Sequence, residues 1–194
     1  MKLTYRHVII FFLLIALSFG FGFAYNGIAT AIERKNHPID QRYAADIEAY
    51  AEEFGIPQNI LWAMACTESQ FVSNLTSSDG RIGLMQLTPA RFDDIQQRLF
   101  KGEPLDHGML YHPSTNLRFG AALLSDLYQK YGVWETVYAA YRVGEETVDA
   151  WLADPNMISD QGRLQNIPNA EVVDYIDQMC DTAALYQRLY FSAS

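Results

Sequence analysis

Glu68 is the residue whose setting most strongly suggests chemistry. It follows the apolar run WAMACT, with Trp62, Met64 and Ala65 at near-helical spacings before it. A carboxyl in apolar surroundings keeps its proton to higher pH, because burial disfavours the charged form. Such a group can act as a general acid near neutral pH. A helix-end glutamate facing solvent, or paired with an arginine, is the ordinary alternative. Asp79 is the nearest acidic residue after it, eleven positions on. It lies in an Asp-Gly turn signal and is a candidate second carboxylate. Gln86, in GLMQL, reads as a polar residue at a helix start. Tyr141, in AAYRVG, reads as a core aromatic with its hydroxyl at the edge.

Other chemistries find less support. The histidines at 7, 37, 107 and 112 have no metal-ligand spacing, so no metal is expected. No cofactor is expected either, since no phosphate-cradling glycine loop is found. Cys66 stands two residues before Glu68, and Cys180 lies near the C-terminal end. If the body is exported, the two could pair in a disulfide; two buried thiols are the alternative.

These residues need elements to hold them, and helical periodicity dominates. Tyr43, Ile47, Tyr50 and Phe54 share one face of a helix that Gly55 stops. Pro57 opens the next, which carries Ile60, Leu61, Met64 and Ala65 and ends near Ser69. Residues 70–83 are turn-rich and fit a short irregular hairpin. Thr88-Pro89 caps a helix with Phe92, Ile95 and Leu99 inward. Lys101 to Pro113 reads as a loop. A long helix then runs to Tyr131, a shorter one holds Trp134, Val137, Tyr138 and Tyr141, and another holds Val148 and Trp151. Asp154 to Pro168 reads as a crossing loop, before a last helix near 170–190. The expectation is a mainly α domain over residues 38–191.

Residues 1–32 read differently. Lys2 and Arg6 precede Val8 to Ile32, which contains no charged side chain. This is a signal peptide or an N-terminal transmembrane anchor. Small residues at Gly22 and Ala24, and at Gly27 and Ala29, would permit cleavage. The basic residues ahead of the span favour a body outside the membrane. The chain has 14 basic and 23 acidic residues, a net charge of -9. Without residues 1–25 the charge is -11. Such a balance argues against a nucleic-acid partner.

Taken together, residues 60–92 (ILWAMACTESQFVSNLTSSDGRIGLMQLTPARF) resemble the catalytic segment of bacterial lytic transglycosylases with the soluble-type (SLT) domain. The elements that carry the likeness are Glu68-Ser69, Phe71, Asn74, Ser77, Gly83-Leu84-Met85-Gln86 and Pro89. HPSTNLRFGAALLSDL (112–127), AAYRVG (139–144) and IPNAEVVDYI (167–176) resemble three further motifs of that family, in order. The resemblance implies a goose-type lysozyme-like fold with a small irregular hairpin. It implies Glu68 as the single catalytic acid/base, Ser77 and Gln86 as hydrogen-bonding partners of the substrate, and Tyr141 as a tyrosine facing the glutamate.

Three positions depart from the family pattern. Arg142 replaces an Asn, Thr88 stands where many members place a Met at the sugar site, and Asn169 replaces a Tyr. Arg142 is a candidate contact to a peptide carboxylate on the glycan, since guanidinium matches carboxylate geometry; a surface charge is the alternative.

The implied function is a peptidoglycan lytic transglycosylase. It would cleave the β-1,4 bond between N-acetylmuramic acid and N-acetylglucosamine and leave 1,6-anhydromuramoyl ends. A muramidase that hydrolyses the same bond and a non-catalytic wall-binding component are the other readings. The expected partners are peptidoglycan strands, the membrane through residues 1–32, and a secretion, conjugation or other envelope machinery. The expected location is the bacterial cell envelope, anchored to the inner membrane or exported.

Overall fold

A computed structural model of the chain describes residues 5–102, 104–159 and 163–192. The start of the basic leader, with Lys2, lies outside the described residues, as do 160–162 of the expected crossing loop. The chain divides into two units, Met1–Pro38 and Ile39–Ser194.

The first unit holds one helix, α1 (Tyr5–Asn36). Its Ile9–Asn36 stretch of 28 residues is long and apolar enough to cross a membrane. At 1.5 Å per residue it spans about 42 Å, against a hydrocarbon core of about 30 Å. A signal sequence has the same length and composition.

The second unit is built from seven α-helices among the described residues: α2 (Ala44–Phe54), α3 (Gln58–Ser69), α4 (Pro89–Leu99), α5 (Pro113–Tyr131), α6 (Trp134–Val143), α7 (Glu145–Leu152) and α8 (Ala170–Tyr186). The boundaries have local causes. Gly55 ends α2 with φ +65°, a conformation open to glycine without strain. The Thr88 hydroxyl accepts from the Arg91 N–H at 3.2 Å, and Pro89 supplies a preset φ at the start of α4. The Asn169 side chain accepts from the Glu171 N–H at 3.0 Å, so this departure from the family pattern is the N-cap of α8.

The core forms around α3. Ile60 through Ala65 are all buried, so this helix is apolar on every face. It packs chiefly against α8, which also packs on α6, while α5 joins α2 and α6. Trp62 stacks on Tyr186 of α8 and meets Phe71 edge-on, with ring centroids 6.3 and 5.7 Å apart. A second aromatic group joins α4 to α5, with Phe92 stacked on Phe119 at 4.3 Å.

Three details differ from the sequence reading. The expected hairpin is reduced to isolated bridges, Thr76 to Ile82 and Ile82 to Leu87. Ile82 is paired from both sides, and Gly83 turns the chain away at φ +83°. Leu99 is 41% exposed, because Phe100 occupies the inward position at the end of α4. The expected loop before Pro113 contains a 3-10 turn, His107–Tyr111, capped by Asp106 and anchored by fully buried Leu110.

Candidate active site

Glu68 sits in the last turn of α3, where the buried helix meets a cavity. The next residues turn sharply, as Gln70 and Phe71 adopt φ +50° and +62°. Neither is glycine, so this exit costs backbone strain. The cavity has a volume of about 650 Å³ and is lined by Glu68, Ser77, Gln86, Arg142 and Tyr175 among others. Its far wall comes from α8, whose Glu171 and Asp174 reach it too.

The Tyr175 hydroxyl donates to Glu68 Oε1 at 2.5 Å. Two effects on the Glu68 carboxyl oppose each other. Burial pushes its pKa up; the Tyr175 hydrogen bond and the charges of Arg81 and Arg142 pull it down. Burial is the larger, and the net shift is upward. Tyr175 is itself buried, and its hydroxyl is held well above the ordinary tyrosine range by burial and then by the Glu68 charge. It therefore stays a neutral donor.

Asp79 lines the same cavity in the opposite electrostatic state. Its carboxylate accepts from the Ser77 hydroxyl and pairs with Arg81 Nε at 2.9 Å. The Ser77 bond is the larger influence, and the Asp79 pKa is lowered. Ser77 also accepts from the Arg81 N–H at 3.0 Å. Thus Ser77, Asp79 and Arg81 form one self-bonded turn at the cavity wall.

Gln86 is buried and held at φ +48°. Its Nε2 donates to Gly83 O at 2.8 Å and to Leu75 O at 3.3 Å. Both amide hydrogens are thereby used on the loop, which leaves the side-chain oxygen to accept. The loop is held from behind by Asn116 of α5. Asn116 Oδ1 accepts from Met85 N–H at 2.7 Å, and Nδ2 donates to Ile82 O and Leu110 O at 2.9 Å each.

Tyr141 of α6 is buried and donates to Met85 O at 2.5 Å. The Glu68 charge acts on its hydroxyl after burial, so the two are neighbours. The hydrogen bond to the glutamate, however, comes from Tyr175. Arg142 stands with its guanidinium 5.3 Å from the Tyr175 ring centroid. Thr88 lines a smaller adjoining cavity, with Tyr141.

Cys66 and Cys180 are both free thiols. Cys66 hydrogen-bonds Tyr186 rather than Cys180. Burial pushes both thiols up, Cys180 to about 11, so neither is a thiolate at neutral pH. Among the described residues, no group of three His, Cys, Asp or Glu side chains could hold a metal ion.

Sequence reasoning missed Tyr175 as a site residue. The signal was there in IPNAEVVDYI, whose tyrosine is on the helix face that meets α3. Arg81 and Arg91 carried no signal, because a lone arginine in a turn or a first helical turn is usually solvated.

Replacing Tyr175 with Phe removes only the hydroxyl. Because that hydrogen bond pulls the Glu68 pKa down, its loss is expected to raise it further. A step that needs protonated Glu68 should then persist to higher pH. The alkaline limb of a pH–rate profile is expected to move upward, with a smaller fall in rate at the optimum. A profile of unchanged shape would show that Tyr175 does not act through Glu68.

Known proteins resemble this chain in sequence and fold. The model of the transglycosylase SLT domain family matches residues 45–161. The soluble lytic murein transglycosylase of Escherichia coli (strain K12) is 28% identical over 136 residues, which are 68% of this chain and 21% of the relative. That of Salmonella typhimurium is 27% identical over 140 residues, 71% of this chain and 22% of the relative. Among solved structures, an inactive mutant of the lytic transglycosylase Slt from Pseudomonas aeruginosa superposes with TM-score 0.71 at 28% identity, over 81% of this chain and 25% of that one. The 70-kDa soluble lytic transglycosylase from Escherichia coli gives TM-score 0.72 at 25% identity, over 80% and 25%. This chain thus spans about a fifth of the length of the curated relatives it matches.

Proposed function

The chain belongs to the transglycosylase SLT domain family, with its lysozyme-like fold, and from that premise we propose that it is a peptidoglycan lytic transglycosylase using Glu68 as its single acid/base. One observation carries this reading. Glu68 is a carboxyl with a raised pKa, at the end of a buried helix, opening on a cavity of about 650 Å³ and held by Tyr175.

The steps follow from that carboxyl. Protonated Glu68 donates to the oxygen joining N-acetylmuramic acid to N-acetylglucosamine. As the bond breaks, the muramoyl ring gains oxocarbenium character, which its own acetamido oxygen can trap. Ionised Glu68 is then stabilised by Tyr175, Arg81 and Arg142. It takes the proton of the 6-hydroxyl, whose oxygen closes on C1 to give the 1,6-anhydro end. One group serves as acid and then as base, and no second enzyme carboxylate is needed. Ser77 and Gln86 supply hydrogen bonds to the sugar, with the Gln86 oxygen accepting.

A specific observation keeps a second reading in play. Asp79 has a lowered pKa beside a glutamate whose pKa is raised. Opposed shifts of this kind mark the acid and the stabilising carboxylate of a hydrolysing muramidase. Against it, the Asp79 carboxylate is already engaged by Ser77 and Arg81. Mass spectrometry of the products separates the two. Muropeptides lighter than the hydrolytic ones by one water are expected; reducing ends would replace transglycosylation with hydrolysis.

The same reading places the protein in the bacterial cell envelope, with the domain on the outer side of the inner membrane. Residues 1–32 then serve as an anchor or a cleaved signal. N-terminal sequencing of the mature protein decides between them. Its partner is peptidoglycan, and service to a local envelope machine is compatible with a tethered wall-cleaving domain.

A further inference from the structure

Arg142 stands where the family pattern places an Asn after the tyrosine of α6. It lies in the last turn of that helix, whose C-terminal end favours a cation. Its guanidinium lies over the Tyr175 ring of α8, 5.3 Å from the centroid. The Tyr175 hydroxyl in turn donates to Glu68 of α3 at 2.5 Å and lies 4.0 Å from Met64 Sδ. Arg142, Tyr175 and Glu68 thus form one chain of contacts across three helices. An Asn in place of Arg142 has neither the charge nor the reach for the first of them.

The other charged groups around Glu68 largely answer one another. Against the burial that raises the Glu68 pKa, Arg81 pulls down and Asp79 pushes up, and these two pair through Arg81 Nε at 2.9 Å. Tyr141 of α6 is a buried hydroxyl that donates to Met85 O. Glu171 and Asp174 of α8 line the cavity and add negative charge. Elsewhere Arg42, Arg98, Arg118, Lys130 and Arg163 each pair with a carboxylate. Arg142 pairs with none among the described residues, and its partly buried guanidinium lies on an aromatic face instead. A cation is attracted to such a face. Burial, then the Glu68 charge, raise the Tyr175 pKa, and Arg142 opposes them. The hydroxyl is thereby a stronger donor, and a stronger donor favours the ionised carboxyl. The Arg142 charge thus reaches Glu68 twice, directly and through the tyrosine.

We propose that Arg142 is the positioning residue of this site: lying over the Tyr175 ring, it keeps the tyrosine hydroxyl on Glu68 and sets its own charge beside the carboxylate that forms when Glu68 gives up its proton. The inference rests on the transglycosylase reading, with Glu68 as acid/base, and names what governs that group. In the first step the carboxyl donates more easily, because its ionised form is supported. In the second step the same support makes the carboxylate a weaker base toward the 6-hydroxyl. Relative to an Asn at this position, Arg142 favours bond cleavage over ring closure and moves the working range to lower pH.

The test follows Glu68 directly, by NMR of the glutamate side-chain carboxyl carbons in the full chain in detergent, with Glu68→Gln identifying the resonance. This titration needs no turnover. Arg142→Asn is expected to raise the Glu68 pKa by roughly one unit, the low end of what a neighbouring opposite charge does. The alkaline limb of the kcat profile on purified peptidoglycan should move upward by the same amount. At the optimum kcat should fall roughly three- to ten-fold, since a weaker acid donates more slowly, with KM little changed. Arg142→Lys keeps the charge without the planar fork and should recover part of the shift. In a Tyr175→Phe background no hydroxyl remains to be held. There Arg142→Asn should shift Glu68 only about half as far, the non-additivity of residues that act through one another.

A Glu68 titration that Arg142→Asn leaves in place overturns the proposal, whatever the rate does. So does a raised KM with an unmoved alkaline limb, which marks a substrate contact. Equal shifts with and without the Tyr175 hydroxyl overturn it as well, since Arg142 would then act by charge alone. If the Asn variant does not fold, Arg142→Gln and Arg142→Lys carry the same comparison. If peptidoglycan is not cleaved but Arg142 still moves Glu68 through Tyr175, the positioning role stands and the transglycosylase reading falls. If anhydro ends are released and the Glu68 titration does not move, that reading stands and the positioning role falls.

Discussion

A Glu68→Gln variant is expected to lose turnover on purified peptidoglycan by roughly 10³-fold or more, within the range general acid–base catalysis contributes, since this group would serve in both steps. The amide keeps the shape and still accepts from Tyr175, so the fold should persist. The same variant is expected to be more stable at neutral pH. The sign follows from the upward pKa shift of Glu68. The folded protein binds this proton more tightly than the unfolded chain. Stability from the group is therefore complete below the unfolded pKa and is lost as pH rises through the folded one. Above that value wild type carries a partly buried charge, whereas the amide carries none. Thermal melts should show the gap between variant and wild type opening as pH rises through the shifted pKa, by about 2–4 °C per kcal/mol in a domain this size. If the variant retains wild-type release of muropeptides, Glu68 is not the acid and the proposed mechanism fails.

The second large effect concerns stability, and lies behind the site. Asn116→Ala removes the side chain that joins α5 to the Gln86 loop and to the 3-10 turn. Its three hydrogen bonds have lengths of 2.7, 2.9 and 2.9 Å, and the residue is fully buried. Ile82 O keeps a second partner in Leu87 N–H. The Met85 N–H and Leu110 O lose the bond with nothing to replace it. Each orphaned buried group costs about 1–3 kcal/mol, and the vacated volume adds to that. A loss of about 3–5 kcal/mol is expected, read as a fall in Tm of roughly 6–20 °C. The fit is close: a Cβ on Gly83 would collide with the Asn116 side chain and with Leu110 O. Activity should fall further than stability alone explains at temperatures where the variant is folded, because Gln86 depends on that loop. A melting shift under about 1 kcal/mol would mean that water replaces the amide and that the clamp is not structural.

Much of this molecule is legible in its residues. The helices of the body follow from period-3.6 apolar spacing closed by local signals. Gly55 and Gly132 end α2 and α5 in the left-handed conformation, and Thr88-Pro89 opens α4. Such signals act within a turn of chain, so sequence carries them. Glu68 is legible for a related reason: the apolar run that buries α3 also brings its last turn into a setting that raises a carboxyl pKa. Where reading failed, a non-local contact decided. Leu99 yields its inward position to Phe100, and the hairpin gives way to bridges because Ile82, Gly83 and Asn116 are fitted together.

The sequence by itself determined a helical domain behind an apolar N-terminal segment, the family of that domain, and Glu68 as its candidate acid. The tertiary structure decided which partners that carboxyl has. Tyr175 lies 107 positions away on α8, and Tyr141 turns its hydroxyl to Met85 O instead. It also decided that Arg81, Arg91 and Arg142, from a turn, α4 and α6, surround one cavity. Helix propensity and capping are set by neighbours a few residues apart, whereas a charge site is set by how packed helices bring distant side chains together. No spacing along the chain encodes that meeting.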